Sequence, residues 1–181
     1  MRHSRSIVPF LVVLVAAACE TPVEPRTAVI EASLVAAHQQ GAVASATGSG
    51  HYTSGGALRT LSFNAVKRAD GTTSGNYHVT IHAIQRFFDV NVTCLSVRND
   101  TAWIAGIIEK TNHPVIQEGT VSYFWAVDGG EGSGTSDKVS TARINDVLGQ
   151  DQAFCSHMPD EAASLLPGNV VEHGDVQVRG G

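Results

Sequence analysis

The segment "RFFDVNVTCLSVRNDTAWIAGIIEK" (86–110) decides the fold. Its first half alternates. Phe88, Val90, Val92 and Cys94 fall on one side, with Asp89, Asn91 and Thr93 on the other. A period of two is the mark of a half-buried strand. Asn99-Asp100 then interrupts the pattern as a turn. A second extended run follows through Trp103 and Ile107. The reading is a hairpin with Cys94 directed inward on the face of Val92.

Working outward, the same period recurs on both sides. In "LRTLSFNAVKR" (58–68), Leu61, Phe63 and Ala65 oppose Thr60, Ser62 and Asn64. Asp70-Gly71 is a tight-turn signal, and "NYHVTIHAI" (76–84) resumes the extended pattern. "TVSYFWAVD" (120–128) is apolar on both faces, as in a central strand covered on both sides. Gly129–Asp137 reads as a loop. "KVSTARI", "QAFCS" and "DVQVR" read as further short strands. Short strands separated by frequent turns predict an all-β fold, a single antiparallel barrel or sandwich of about eight strands.

The chain's beginning carries a different message. Arg2, His3 and Arg5 precede an apolar run from Ile7 to Ala18, interrupted only by Pro9. That run is too short for a membrane helix, which needs about 20 residues. A basic start, a short apolar stretch and Ala16-Ala17-Ala18 before Cys19 form a secretory signal. Ala-Ala-Ala-Cys also resembles a bacterial lipobox, with Ala16 where Leu is typical. That resemblance implies a mature protein starting at Cys19, with a diacylglyceryl thioether and an amide-linked acyl chain. Plain secretion with an unmodified cysteine is the alternative. The organisation expected is a signal peptide over 1–18, a lipidated N-terminus and flexible linker over 19–50, and a β domain over 51–181. The linker reading rests on "ETPVEPRT" and on the small, polar "HQQGAVASATGSG".

The three cysteines are Cys19, Cys94 and Cys155. An odd number in an exported chain leaves one over. If Cys19 takes lipid, Cys94 and Cys155 remain as an even pair in an oxidising compartment. A disulfide closing their loop would contribute about 4 kcal/mol. Two separately buried thiols are the alternative.

Removing Arg2 and Arg5 with the signal leaves 10 basic against 17 acidic residues, a formal charge of −7. A modestly acidic domain without clustered Lys and Arg is not built for nucleic acid.

"RTLSFNAVKRADGTTSG", "VTCLSVRNDTAWIAGII" and "VDGGEGSGTSD" together resemble a family of uncharacterised exported bacterial β-rich proteins. Its members share an FSF-like strand, a DG turn, a TCL-then-TAW hairpin and an acidic glycine loop. The resemblance spans about Gly48 to the C-terminus. It implies β architecture and export, and no activity.

Three sets of residues are candidates for chemistry. Asp128, Glu131 and Asp137 lie in "VDGGEGSGTSDK", a glycine-rich acidic loop of the kind that supplies oxygen ligands to Ca²⁺. A solvated loop is the plainer reading. His78 and His82 lie four apart on one strand face, about 13 Å along it. A zinc site there would need His51, His157 or His173 brought close. Tyr123, Phe124, Trp125 and Trp103 line either a ligand groove or the core. No G-x-S-x-G, H-E-x-x-H or Walker loop is present. The expectation is a membrane-anchored, monomeric, non-enzymatic binding or structural module with a protein or glycan ligand. The alternatives are a secreted hydrolase-type enzyme, which predicts converging His, Asp or Glu residues, and a Ca-dependent adhesion module.

Overall fold

A computed structural model describes residues 41–130, 136–145, 150–157 and 166–180. Cys19 and Glu131 lie outside the described residues, as do the segments read as signal peptide and most of the linker. Among the described residues are ten strands: β1 (Ala42–Ser54), β2 (Ala57–Arg68), β3 (Thr73–Ile81), β4 (Arg86–Arg98), β5 (Thr101–Thr111), β6 (Val121–Val127), β7 (Lys138–Ser140), β8 (Arg143–Asn145), β9 (Gly168–Val170) and β10 (His173–Gly180). One 3-10 turn (His82–Ile84) and one helix, α1 (Gln150–His157), complete them.

The strands form one antiparallel sheet in the order β10-β1-β2-β3-β4-β5-β6-β7-β9, with β8 also on β6. It curls around a core drawn from successive strands. Ala46, Leu61, Phe63, Tyr77, Val79, Val90, Ile104 and Phe124 all belong to one buried cluster. Phe124 meets Phe63 at 5.3 Å and Tyr77 at 4.9 Å between ring centres, both edge-to-face, the arrangement the ring quadrupole favours. The void beside Tyr52, Leu61 and Phe63 measures about 10 Å³, the scale of a single water. The inside of the curl is therefore packed with side chains.

The turns follow the chemistry of their residues. Asp70 accepts hydrogen bonds from the Thr72 amide (2.9 Å) and hydroxyl (2.7 Å), and Gly71 takes φ 85°. These contacts, the Thr72 hydroxyl first, hold the Asp70 carboxyl below its ordinary value. Asn99 adopts φ 56° at the β4–β5 turn.

Four expectations need correction. The β domain starts at Ala42 and not at His51. "AVASATGSG" is the first part of β1, paired with β2 and β10. Its small residues suit a close approach: a Cβ at Gly48 would lie 2.7 Å from the Phe63 ring. The strands number ten where about eight were expected, because β1 and β9 (Gly168–Val170) are added and "KVSTARI" splits into β7 and β8, while "QAFCS" drops out.

"QAFCS" is helical. Asp151, Phe154 and Cys155 recur at i, i+3 and i+4; Asp151 and Phe154 are buried against the sheet and Cys155 partly so. Finally, Cys94 does not share the face of Val92. Val92 pairs with Gly106 and Cys94 with Ala105, so Thr93 is one extra residue. This β-bulge reverses the alternation. Leu95 takes over the inner face, and Cys94 turns to the outer one.

On that outer face Cys94 is bonded to Cys155 of α1, with Cα atoms 6.2 Å apart. The helix covers a second cluster made of Cys94, Trp103, Ala105, Trp125, Phe154 and Leu166. Trp125 Nε1 donates to the Leu166 carbonyl at 3.0 Å, and Tyr123 packs on Phe154 at 4.5 Å. Trp103, Tyr123, Phe124 and Trp125 are thus core residues on two sides of one sheet, which is why β6 is apolar on both faces.

Candidate binding face

The helix covers the outer face of β4–β6. The outer face of β1–β4 is formed by the polar positions of each alternating strand, and register gathers them into rows. Thr47, Asn64, Asn76 and Asn91 pair in succession across β1, β2, β3 and β4. All four are exposed. In the next row Ser49, Ser62, His78 and Asp89 are neighbours, and in the third His51, Thr60, Thr80 and Phe87. Neighbouring strands lie about 4.8 Å apart, so each row is a ladder of groups at that spacing.

Side-chain bonds order these rows. His78 Nδ1 lies 2.6 Å from Asp89 Oδ1, and Nε2 lies 2.8 Å from Thr80 Oγ1. The carboxylate fixes the proton on Nδ1, which leaves Nε2 of the neutral ring to accept from the hydroxyl. Both side chains of the His78–Asp89 pair are 40% exposed. At that exposure the pair is worth at most about 1 kcal/mol and serves to orient the imidazole. Thr60 Oγ1 sits between His51 Nδ1 (3.1 Å) and His82 Nε2 (2.7 Å).

A basin of about 350 Å³ opens here, lined by His78, Thr80, His82, Gln85, Arg86 and Phe87. Phe87 stacks beside His78 at 5.7 Å between ring centres, and Lys110 Nζ lies 5.8 Å from its centre. Asn112 fixes the floor from the β5–β6 connection. Its side chain accepts from the Phe87 amide at 2.8 Å, and its carbonyl accepts from Arg86 Nη1 at 2.9 Å. Gln85, at φ 50°, turns the chain from the 3-10 segment into β4.

The structure places the sequence candidates as follows. His78 and His82 line the same basin, but His82 stands in the 3-10 turn and not on the strand, and the two bond to different hydroxyls. His51 joins His82 through Thr60, and His173 is the cross-strand neighbour of His51. His157 ends α1. Among the described residues, no three His, Cys, Asp or Glu side chains converge on one metal position.

Asp128 and Asp137 have a different occupation. Asp137 accepts from the Gly129 amide (2.8 Å) and the Val176 amide (2.6 Å). Asp128 accepts from the Gly130 amide (2.8 Å) and the Val178 amide (3.1 Å). Each carboxylate oxygen therefore meets one backbone N–H, and the two residues tie the end of β6 and the start of β7 to β10.

No family model, curated protein or solved structure matches this chain.

The asparagine row and the His51–Thr60–His82 contact were not foreseen from the sequence. Their polar positions were visible in each strand. Their meeting depends on register, which the strands do not spell out singly.

Proposed function

We propose that this chain is an exported, membrane-tethered binding module that recognises its ligand on the outer face of β1–β4. The observation that carries the reading is the contrast between two faces of the same strands. The inner face is filled by Phe63, Tyr77, Phe88 and Phe124. The outer face carries hydroxyl, amide and imidazole groups held in place by one another. Recognition then belongs outside the curl. The Cys94–Cys155 bond supports export, and it leaves Cys19 as the third cysteine, at the lipobox-like site. Three acyl chains on Cys19, two on the diacylglyceryl group and one on the amide, would supply stable anchoring, which one chain does not.

The tether is tested by fractionating cells that express the full chain. Wild type is expected in the membrane fraction, with a mass matching residues 19–181 plus lipid less two hydrogens. Cys19→Ala is expected in the soluble fraction. Wild type recovered as a soluble, unmodified polypeptide would sink the anchored reading.

One observation favours a second reading. Asp89, His78 and Thr80 are disposed as carboxylate, imidazole and hydroxyl, the order that activates a nucleophile in a hydrolase. An activated ester such as p-nitrophenyl acetate tests it. Turnover that disappears in Thr80→Val and in His78→Ala would support a hydrolase. Turnover equal to the buffer rate would remove it.

A further inference from the structure

We infer that the outer face of β1–β4 binds a neutral polysaccharide, with the basin at Phe87 as the anchoring subsite. The inference rests on the binding-module reading and names its ligand class. The first argument is chemical. Asn64, Asn76 and Asn91 each carry an amide, which donates through nitrogen and accepts through oxygen. The Asn64 oxygen accepts from the Asn76 backbone amide at 3.1 Å and its nitrogen donates to the Asn76 side-chain oxygen at 3.4 Å, which orders the pair. The exposed Asn76 nitrogen and Asn91 amide complete the row. Arranged across three adjacent strands, they match a ligand that repeats hydroxyl groups along its length. Ser62 and Thr47 extend the pattern with hydroxyls of their own.

The second argument concerns shape. Phe87 is only partly buried and forms an apolar wall in an otherwise polar basin. A sugar ring has the same division, with hydroxyls around its edge and C–H groups on its faces. Aromatic walls combined with a few fixed polar groups are the usual construction of small-ligand sites.

The third argument concerns charge. The Asp89 carboxylate is taken by His78, and Arg86 donates to the Asn112 carbonyl. Asp89 and Arg86 are thus bonded within the protein, and the Lys110 ammonium lies over the Phe87 ring. The other positions of the three rows carry no carboxylate, ammonium or guanidinium group. That favours a neutral polymer over a polyanion.

Position agrees with this. The chain enters β1 at Ala42, and His51, beside the basin, lies nine residues further along the same strand. At about 3.3 Å per residue the basin stands about 30 Å from the tether end.

The experiment uses the full chain in detergent, titrated calorimetrically with cellohexaose, chitohexaose and maltohexaose. Polygalacturonate and heparin serve as polyanions. Phe87→Ala and Asn76→Ala alter the face; Arg98→Ala, exposed at the opposite end of β4, is the control. Thermal melting confirms that each variant is folded. The expected result is binding of at least one neutral hexasaccharide. Phe87→Ala should weaken it tenfold or more, Asn76→Ala about threefold or more, and Arg98→Ala should leave it unchanged. No neutral binding at millimolar sugar, a preference for the polyanions, or full affinity in Phe87→Ala would each overturn the inference. If Cys19→Ala still releases the chain from membranes in that case, the tethered-module reading survives and the ligand class alone falls.

Discussion

The Asp137 carboxylate accepts a 2.6 Å hydrogen bond from the backbone amide of Val176, 39 residues away. Val176 lies on β10, whose partner on one side is β1. The amides of alternate residues point to the other side, where β10 has no paired strand among the described residues. Such an edge exposes unpaired N–H groups. Asp137 and Asp128 answer two of them, at Val176 and Val178, with side chains in place of a strand. The acidic glycine loop thus begins and ends in a clasp between the two ends of the curled sheet.

Removing the clasp should loosen β10. Asp137→Ala leaves the Val176 and Gly129 amides without an acceptor, and bonds to a charged group are worth about 1.5–3 kcal/mol each. A loss of about 2–4 kcal/mol in chemical unfolding is expected. Exchange of the Val176 amide with solvent should accelerate, while that of Val79 in the core should keep pace with global unfolding. Asp137→Asn, which keeps one carbonyl oxygen, should lose less. Calcium at millimolar concentration should leave the melting temperature of the wild type unchanged; a rise of several degrees would reopen the metal reading of Asp128 and Asp137.

The disulfide should matter to one side of the sheet more than the other. In the Cys94→Ser, Cys155→Ser double variant, α1 loses its covalent hold on the sheet. A native disulfide typically contributes about 2–5 kcal/mol. Trp103 and Trp125 lie under the helix, whereas Phe63, Tyr77 and Phe124 lie inside the curl. Tryptophan emission is therefore expected to shift to longer wavelength while the cooperative unfolding transition survives. Unchanged tryptophan emission would show that α1 docks without the bond.

The hairpins of β2 to β6 were legible because each buries one face, and burial imposes a period of two. The polar partners of Asn64 and His78 were equally visible strand by strand. What sequence concealed were the events that break or join periods. Thr93 adds one residue to β4 and moves Cys94 to the opposite face. Nothing in "NVTCLSV" marks the slip, because Thr, Cys and Leu all suit a strand. α1 was hidden for a related reason. Five residues around Cys155 hold too few apolar positions to separate the two periods, and packing on Trp103 decides the matter. β1 was missed because Gly, Ala and Ser read as linker, although their small size is what lets β1 lie close to Phe63 and to β10.

The bulge also makes its own prediction. Across from Val92 stands Gly106, where a Cβ would overlap the carbonyl of Asn91. Backbone on the neighbouring strand cannot yield as a flexible side chain does. Gly106→Ala is expected to cost about 1–3 kcal/mol or more, as overpacking does. Ala at Gly41, which has open space around its Cβ position, should cost far less. Chemical denaturation of the two variants makes the comparison; equal stabilities would show that the bulge is more adaptable than its packing suggests.

The interior of the curl sets the alkaline limit of the fold. Burial, by removing water from the ionised form, pushes the Tyr77 hydroxyl well above the ordinary tyrosine value of 10.0, and does the same more weakly for Tyr52. The Tyr77 and Ser122 hydroxyls approach one another, yet neither makes a hydrogen bond of good geometry. A raised pKa means that the folded chain holds its proton where the unfolded chain has released it. The contribution is fully present below pH 10 and declines as pH climbs toward the folded value. The slope above pH 10 can reach about 1.4 kcal/mol per pH unit for each such group. Unfolding measured from pH 9 to pH 11.5 should therefore show falling stability for the wild type. Tyr77→Phe has nothing to ionise at that site and should show a shallower fall. At pH 7 the same variant removes an unpartnered buried hydroxyl and should unfold within about 1 kcal/mol of wild type. Parallel curves for the two proteins above pH 10 would mean that water reaches Tyr77, and that the interior is less tightly filled than its packing indicates.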